Sequence, residues 1–589
     1  MATRTEPSVE SNPRAPAEDW LGRFSEALTT ADFEQAAGLF LEDGWWRDLL
    51  ALDWDLHTFR GHRSIAEMLR RRLPEAGLGR LSLDGEPTLV EPAEDTLWIE
   101  ATFSFETGVA RGRGLVRLVP IEGGEWRAWT LLTAMHELFV AAEPRGPRRP
   151  TGVVHGAQGT DGTWFARRER ERQFSDRDPE VLVIGAGQGG LSIAARLGQL
   201  GVDTLVIEQN PRVGDNWRNR YESLVLHDPV WADHLPFVDF PDSWPIYTPK
   251  DKLGDWFESY AATMELNVWT DTQLLRGSYD DEAGVWTVRV MGPGGERDLR
   301  PRHVVLATGA LGEAYKPDFP GAESFGGTLL HSSEHGGAAE WEGSRAVVVG
   351  ACNSGLDIAQ DFEAHGADIT VVQRSSTYVM TSANGIPILF GGLYYEGGPA
   401  TEDADLIAAS YPLPVLLEFA KAQTAAIAEL DRELLDGLER AGFKADLGDD
   451  GGGLMSRALH RGGGYYIDVG CAQLIVDGKV KVHQGAGVER LTADGVLLSD
   501  GSELRADVVV LATGYANMRE TARRLFGDAV ADRCTPVWGL DDEGELNTIW
   551  RPSGHPQFWF MGGSLQLARV YSRYLALQIK AELSGVKGG

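Results

Sequence analysis

A chain of 589 residues exceeds what one hydrophobic core can organise, and its 43% hydrophobic and 9% aromatic content describes globular domains rather than disorder. The formal net charge of −32 excludes general affinity for nucleic acid or anionic membranes, so any anionic ligand must be held by local glycines, helix ends and selected arginines. Cys352, Cys471 and Cys534 form no C-x-x-C pair, which argues against a dithiol reductase and a zinc ribbon; no metal is expected. With no apolar run of membrane-spanning length and a polar start unlike a secretion signal, the expectation is a soluble cytoplasmic protein.

Residues 1–16 read as a flexible tail. From 17 to 140 the pattern is α+β. Trp20, Phe24, Leu28, Phe33, Ala37 and Phe40 recur at helical spacing, and 43–73 read as further helical pieces broken at Gly61. After Leu81 come the alternating stretches LSLDGEPTLV, TLWIEATFSFET, GRGLVRLVP and EWRAWTLLTAMHEL, an antiparallel meander. Asp53, Asp55, His57 and His62 are read as surface carboxylates and structural histidines beside a tryptophan-rich core, with a role in a pocket as the alternative. Residues 141–180, rich in Pro, Gly and Arg, form a linker that includes a short basic helix.

The densest signal follows. Val181–Ile184 is a short buried strand, and Gly185, Gly187 and Gly190 form a G-x-G-x-x-G turn around Gln188. Gly185 allows the tight turn, Gly187 lets a pyrophosphate approach the backbone, and Gly190 lets the helix pack against the strand. A helix over Leu191–Leu200 presents its N-terminal dipole to phosphate, and the strand Thr204–Ile207 ends at Glu208, placed to bond ribose hydroxyls. The run 303–306 is a strand leading to Ala307, Thr308 and Gly309. A second, related start has its strand at Val347–Val349, Gly350 and Gly355 at the outer positions, Cys352 at the middle one, and a helix from Leu356. The thiol of Cys352 is expected to crowd a pyrophosphate. The next strand ends at Arg374, followed by Ser375 and Ser376; a guanidinium there suits a 2′-phosphate and favours NADPH over NADH. Residues 386–457 read as a helical insertion suited to a lid, channel or dimer face. The expected fold class is α/β with two Rossmann-type domains behind an α+β domain. The FAD-binding domain spans 181–342 and 501–589, and the NADPH-binding domain 343–500.

Residues 17–140 resemble the SnoaL-like, cone-shaped α+β family in layout and in phrases such as AAGLFLEDGWWRD and FRGHRSIAEML. That resemblance implies a small-molecule pocket inside the cone or a dimer contact. Gly214, Asp215, Trp217, Arg218, Tyr221, Leu224, Leu226 and His227 form a pattern similar to the class B flavin-containing monooxygenases, and within them the YUCCA-like branch. Phe325, Gly327 and His331 match the family's F-x-G-x-x-x-H run, with His335 where an aromatic is usual. The resemblance implies FAD in the first site, with Asp215, Trp217, Arg218, Leu226, His227, Gly563 and Gln566 near it. It implies nicotinamide cofactor in the second, with Asn353 and Ser354 between the two cofactors. Thr308-Gly309 and Thr513-Gly514-Tyr515 are strand-to-loop turns joining the nucleotide domains. Asn353, His331 and His227 are the catalytic candidates, His331 being read more readily as a link between those domains.

Two such units without a dithiol imply one nucleotide that delivers electrons and one that receives them. The family resemblance implies that NADPH reduces FAD, which activates dioxygen as a C4a-(hydro)peroxyflavin and oxygenates a small organic substrate, an aryl-pyruvate or another carbonyl compound. Baeyer–Villiger or N/S-oxygenation, and a flavin-binding redox sensor or scaffold with little turnover, remain alternatives. The expected partners are the substrate and dioxygen, with a homodimer as a further possibility and no nucleic acid or membrane.

Overall fold

The computed structural model describes residues 12–79, 81–93, 96–152, 162–309 and 312–587. Most of the expected tail and part of the linker lie outside them. The first helix, α1 (Arg14–Thr29), begins inside the stretch read as tail and buries Trp20, Phe24 and Leu28 along one face. It is followed by α2 (Phe33–Gly38), whose first turn is capped when Asp32 accepts from the Gln35 N–H at 3.0 Å. Next come β1 (Phe40–Leu49), β2 (Leu56–Arg60) and α3 (Gly61–Ala76), then β3 (Ser82–Leu83), β4 (Thr88–Ala93), β5 (Thr96–Glu106), β6 (Ala110–Pro120) and β7 (Trp126–Leu138). The sheet order is β2-β1-β7-β6-β5-β3, with β4 also paired to β5. The expected meander is present. The expected helices over 43–60 are strands instead. β1 lies between β2 and β7 with both faces covered, so its residues lack the clear alternation that marks a half-buried strand.

The two faces of this sheet have different fates. Trp46, Ile99, Ala101, Phe103, Val116, Leu118 and Leu131 face the three helices and form the domain's own core, where Trp20, Phe24, Phe40 and Trp46 pack ring against ring. Leu132, Ala134, Met135 and Leu138, with Leu49, Leu50 and Leu56, join a core shared with the rest of the chain.

After the short basic helix α4 (Trp164–Gln173) the first Rossmann unit runs β8 (Val181–Ile184), α5 (Gln188–Gln199), β9 (Thr204–Ile207), α6 (Asp215–Arg218), α7 (Lys250–Thr263) and β10 (Val268–Trp269). The meander β11 (Gln273–Asp280), β12 (Val285–Gly292) and β13 (Gly295–Leu299) leads to β14 (His303–Leu306). The second unit runs β15 (Thr328–His331), β16 (Arg345–Val349), α8 (Asn353–Ala364) and β17 (Asp368–Gln373). Then follow β18 (Thr377–Thr381), α9 (Ser382–Phe390), α10 (Thr401–Ala409), α11 (Leu413–Leu430), α12 (Arg432–Arg440), β19 (Ala445–Asp446), α13 (Gly453–Arg461), β20 (Tyr465–Asp468), α14 (Cys471–Val476) and β21 (Lys481–Gln484). A second meander, β22 (Val488–Thr492), β23 (Gly495–Leu498) and β24 (Glu503–Arg505), precedes β25 (Val508–Leu511). The chain closes with α15 (Met518–Phe526), α16 (Asp528–Ala531), β26 (Phe558–Phe560) and α17 (Leu565–Leu583). Among the described residues no helix is long and apolar enough to cross a membrane.

Two parallel five-stranded sheets result, β10-β9-β8-β14-β26 and β15-β25-β16-β17-β21. β15 and β25 both belong to the second sheet, so the crossings between units lie nearer 315 and 513 than the expected borders at 342 and 500. The outgoing and returning strands of chain lie against each other. The Tyr315 N–H donates to the Gly514 carbonyl at 3.0 Å, the Ala516 N–H to that of Glu313 at 2.8 Å, and the Thr513 hydroxyl to that of Tyr315 at 2.6 Å.

Candidate active site

Both glycine turns close by the same geometry. Gly185 has φ +104° and a side chain there would stand 2.7 Å from the Ala307 carbonyl oxygen; one on Gly190 would stand 1.8 Å from that of Gly185. In the second unit Gly350 has φ +124° and a side chain there would stand 2.3 Å from the Ala512 oxygen, while one on Gly355 would stand 2.1 Å from the oxygen of Gly350. The two Ala-Thr-Gly turns are thus the walls against which the glycine turns pack, and Gly309 and Gly514 themselves sit at φ +84° and +86°. The helices start earlier than expected, α5 at Gln188 and α8 at Asn353, because the last glycines enter the first helical turn. Gly187 and Cys352 occupy the preceding cap position with ordinary negative φ. Cys352 is therefore unstrained, and burial raises its thiol above the ordinary value.

Around the first turn, Glu208 accepts from the Ala186 N–H at 2.8 Å with one oxygen and from the Asn210 N–H and side-chain amide with the other. It braces the glycine turn while remaining on the cavity wall. Gln188 donates to the Gly563 carbonyl at 3.1 Å, fastening the start of α5 to that of α17. A side chain on Gly187 would meet no protein atom nearer than the Asn216 amide at 3.2 Å. Beside this space Asn216 Oδ1, Trp217 Nε1 and Thr308 Oγ1 are buried without partners among the described residues. An open glycine cradle ringed by orphaned polar atoms fits a dinucleotide with a polar ring system, and the residues expected to hold FAD fit that group.

Gly185, Gly187, Gln188, Glu208, Asp215, Trp217, Thr308, Gly309, Thr513, Gly514, Tyr515, Gly563 and Gln566 all border one cavity of about 2290 Å³. Several candidates sit elsewhere. The Arg218 guanidinium donates to the Val213 carbonyl and to Asp215, Asp255 and Glu258, tying α6 to α7. Leu226 is buried, and His227 beside it has its imidazole lowered by burial and its Nδ1 unpartnered among the described residues. Asn353 accepts from the Ile467 N–H at 2.8 Å, so its side chain is engaged with β20. Ser354 and Gly355 open α8. Arg374 and Ser375 are exposed just past β17, and Arg374 forms no ion pair among the described residues.

His331 is fully buried, with Nδ1 2.9 Å from the Ser333 hydroxyl and Nε2 3.0 Å from the Gly514 carbonyl. Its ring meets Tyr515 edge-on at 5.2 Å, and burial lowers its basicity. His335 packs on Phe362 and bonds Asp361 at 2.9 Å. Tyr221 donates to Asp357 at 2.6 Å, linking the Trp217–Tyr221 segment to α8; burial pushes the Asp357 carboxyl up to about 7.

Sequence reasoning missed two contributors. Asp228 lines the cavity, and burial pushes its carboxyl up to about 6. The N-terminal domain reaches the same cavity through Arg47, Thr88, Val90, Thr96, Trp98 and Glu100. The signal was an arginine amid apolar residues in RGLVRLVP and the WRD of β1. The four polar candidates near 53–62 gather in no pocket of a cone. Asp55 takes two bonds from Arg551 at 2.7 and 3.0 Å, His57 meets Glu543 at 2.8 Å, Asp53 pairs with Arg72, and His62 holds the Phe40 carbonyl at 3.0 Å.

Two dinucleotide cradles joined by paired crossovers, with three free cysteines and no C-x-x-C dithiol, define a two-dinucleotide flavoprotein oxidoreductase. A family model described as pyridine nucleotide-disulphide oxidoreductase matches residues 179–385. Indole-3-pyruvate monooxygenase YUCCA1 of Oryza sativa subsp. japonica is 34% identical over 338 residues, 57% of this chain and 77% of the relative. Probable indole-3-pyruvate monooxygenase YUCCA3 of Arabidopsis thaliana is 31% identical over 340 residues, 57% and 72% of the two chains. The closed crystal structure of a cyclohexanone monooxygenase superposes with a TM-score of 0.51 at 17% identity, covering 69% of this chain and 85% of that one, a likeness of fold. The chain belongs to the YUCCA-like family of flavin monooxygenases, and it is an oxidoreductase that uses FAD and NADPH.

Proposed function

We propose that the protein oxygenates a small organic carbonyl compound, of which aryl-pyruvates are one class, with FAD at the Gly185–Gly190 cradle and NADPH at the Gly350–Gly355 cradle. The observation that carries the reading is the single cavity that joins the first cradle to an apolar chamber under the helical insertion, lined by Ile386, Leu389, Phe390, Leu413, Leu454 and Met455. At about 2290 Å³ it exceeds the ~300–1,000 Å³ of an ordinary small-molecule site and has room for cofactor and substrate together.

When bound, the flavin supplies electron transfer from the nicotinamide cofactor and the activation of dioxygen. The chain does the rest. The α5 N-terminus and Gly187 receive the pyrophosphate, and Glu208 and Asn210 face the ribose. Arg374 and Ser375 take a 2′-phosphate at the second cradle, and the exposed, unpaired guanidinium suits that task. The apolar insertion excludes water from the reacting centre. Asp228, on the cavity wall and with its carboxyl pushed up to about 6, holds or takes a proton on the substrate side. His331, with both ring nitrogens engaged, is a positioning residue that keeps the Thr513–Tyr515 turn in place, and Asn353 positions β20. His227 precedes Asp228 in the chain and is not among the residues that line the cavity. We propose further that the N-terminal domain belongs to the SnoaL-like family; three helices packed on one face of its sheet support that reading.

The test is turnover by the purified flavoprotein with phenylpyruvate and simple ketones, following NADPH oxidation and oxygenated product together. One product per NADPH is expected, with Arg374→Ala raising KM for NADPH at least tenfold and leaving KM for NADH within twofold. Protein without flavin absorbance, or NADPH consumption yielding only hydrogen peroxide, overturns the reading.

A further inference from the structure

The strand register puts one face of the N-terminal sheet into the cavity. β4 and β5 pair Thr88 with Glu100 and Val90 with Trp98, and side chains alternate, so these four and Thr96 share a face. Ile99, Ala101 and Phe103 point the other way, into the domain's own core. The cavity is thus lined both by the glycine cradle of the first Rossmann unit and by β4 and β5 of the N-terminal sheet.

The helical insertion is locked to the same sheet. Two arginines with at most 1% exposure reach from the sheet to the corner joining α10 and α11. Arg47 donates to the Ala409 carbonyl at 2.7 Å, and Arg117 to the Ser410 hydroxyl at 2.8 Å. The Arg117 guanidinium lies 3.6 Å from the Tyr411 ring centre and pairs with Glu100 at 2.9 Å. Buried guanidinium forks enforce one geometry, because a displaced corner would strand a charge out of water. The corner carries an aromatic end wall: Trp98 on Trp129 at 5.6 Å, Trp129 on Phe419 at 5.8 Å, and Phe419 on Tyr411 at 5.7 Å. The same cavity is lined by Ile388, Leu389, Leu413, Leu416, Leu454 and Met455.

We infer that the N-terminal domain forms the distal wall of the substrate chamber. The substrate is accordingly a carbonyl compound with an extended apolar body, long-chain or polycyclic, whose far end rests on the Trp98–Tyr411 aromatic wall. This rests on the monooxygenase reading above for the position of the carbonyl. It adds that a single aryl ring leaves the distal chamber unfilled, and that substrate range is set by a domain outside the two nucleotide-binding units.

The test uses the full-length flavin-loaded protein and measures dissociation constants by titration calorimetry for phenylpyruvate, 2-dodecanone and the polycyclic ketone progesterone. Val90→Trp fills the chamber from the sheet side and Leu416→Trp from the insertion side; flavin absorbance and circular dichroism verify folding. The wild type is expected to bind at least one extended ketone tenfold or more tighter than phenylpyruvate. Each filling variant is expected to raise the ratio of extended-ketone to phenylpyruvate dissociation constants at least tenfold. Two folded variants that move all ligands equally, or a wild type without preference for an extended ketone, overturn the inference. Extended ketones that bind in this variant-sensitive way but are not oxygenated overturn the proposed reaction and leave the chamber assignment standing.

Discussion

Breaking the contact between Arg47 and Glu545 tests whether the N-terminal domain is an integral part of the flavoprotein. Arg47 donates Nε and NH2 to the two Glu545 oxygens at 2.7 Å each, NH1 to the Ala409 carbonyl, and NH2 to the Tyr571 hydroxyl at 3.0 Å. Thr58 adds a bond to Glu545 at 2.6 Å, and both charged side chains are at most 2% exposed. Glu545→Ala removes two charge-assisted bonds from Arg47, of ~1.5–3 kcal/mol each, together with the Thr58 bond, and leaves a guanidinium buried without its counter-charge. The two Arg47 bonds alone sum to ~3–6 kcal/mol, in line with the ~3–5 kcal/mol typical for removing one partner of a buried pair. Replacing both, as Arg47→Met with Glu545→Leu, removes the orphaned charge and should recover most of the loss. The assay is urea unfolding followed in parallel by tryptophan fluorescence and flavin release, with Arg47→Met and Glu545→Leu also made singly to close the thermodynamic cycle of the double variant. Glu545→Ala is expected to move both signals to lower urea together. A loss below about 1 kcal/mol, or an N-terminal transition that leaves flavin bound, refutes the view that the sheet and the flavin domain fold as one body.

The two glycines of the first cradle should separate folding from binding. Gly190→Ala, with its methyl 1.8 Å from the Gly185 oxygen, is expected to prevent soluble expression, whereas Gly187→Ala should fold and lose at least tenfold in flavin affinity; a Gly187→Ala protein with a full flavin-to-protein absorbance ratio would contradict the cradle. His303 is fully buried, accepts from the Trp559 indole at 3.2 Å, and is lowered by burial to about 3. Because its folded value is depressed below the ordinary ~6.5, the neutral ring stabilises the fold above pH 6.5 and that contribution fades as pH falls towards 3. Between pH 6.5 and 4.5 the loss is about 2.3 kcal/mol, and His303→Gln should flatten this part of the stability profile; an unchanged slope would reassign the acid sensitivity to other groups.

Much of the nucleotide-binding architecture was legible because it rests on short-range constraints. Gly185, Gly190, Gly350 and Gly355 stand where a methyl would strike a carbonyl oxygen, and such constraints recur at fixed spacing along the chain. The repeated Ala-Thr-Gly turns were readable as a pair, and the structure adds that each packs against its own glycine turn. Cys352, at the middle glycine's position, has an ordinary negative φ, so the backbone there accommodates a side chain. The strands at 40–60 were illegible for a local reason: β1 is covered on both faces, and a strand without a solvent side carries no alternation to distinguish it from a helix.

By itself, then, the sequence determined that the chain folds two dinucleotide cradles and carries no C-x-x-C dithiol, since these depend on residue type at fixed local spacing. Only the tertiary structure decided where the second face of the N-terminal sheet goes. Arg47 and Glu545 stand 498 positions apart, as do segments that meet at Asp55 and Arg551 496 positions apart, and no periodicity encodes a contact between side chains that distant. Burial made those charges pair, and their pairing joins the N-terminal sheet to the wall of the active-site cavity.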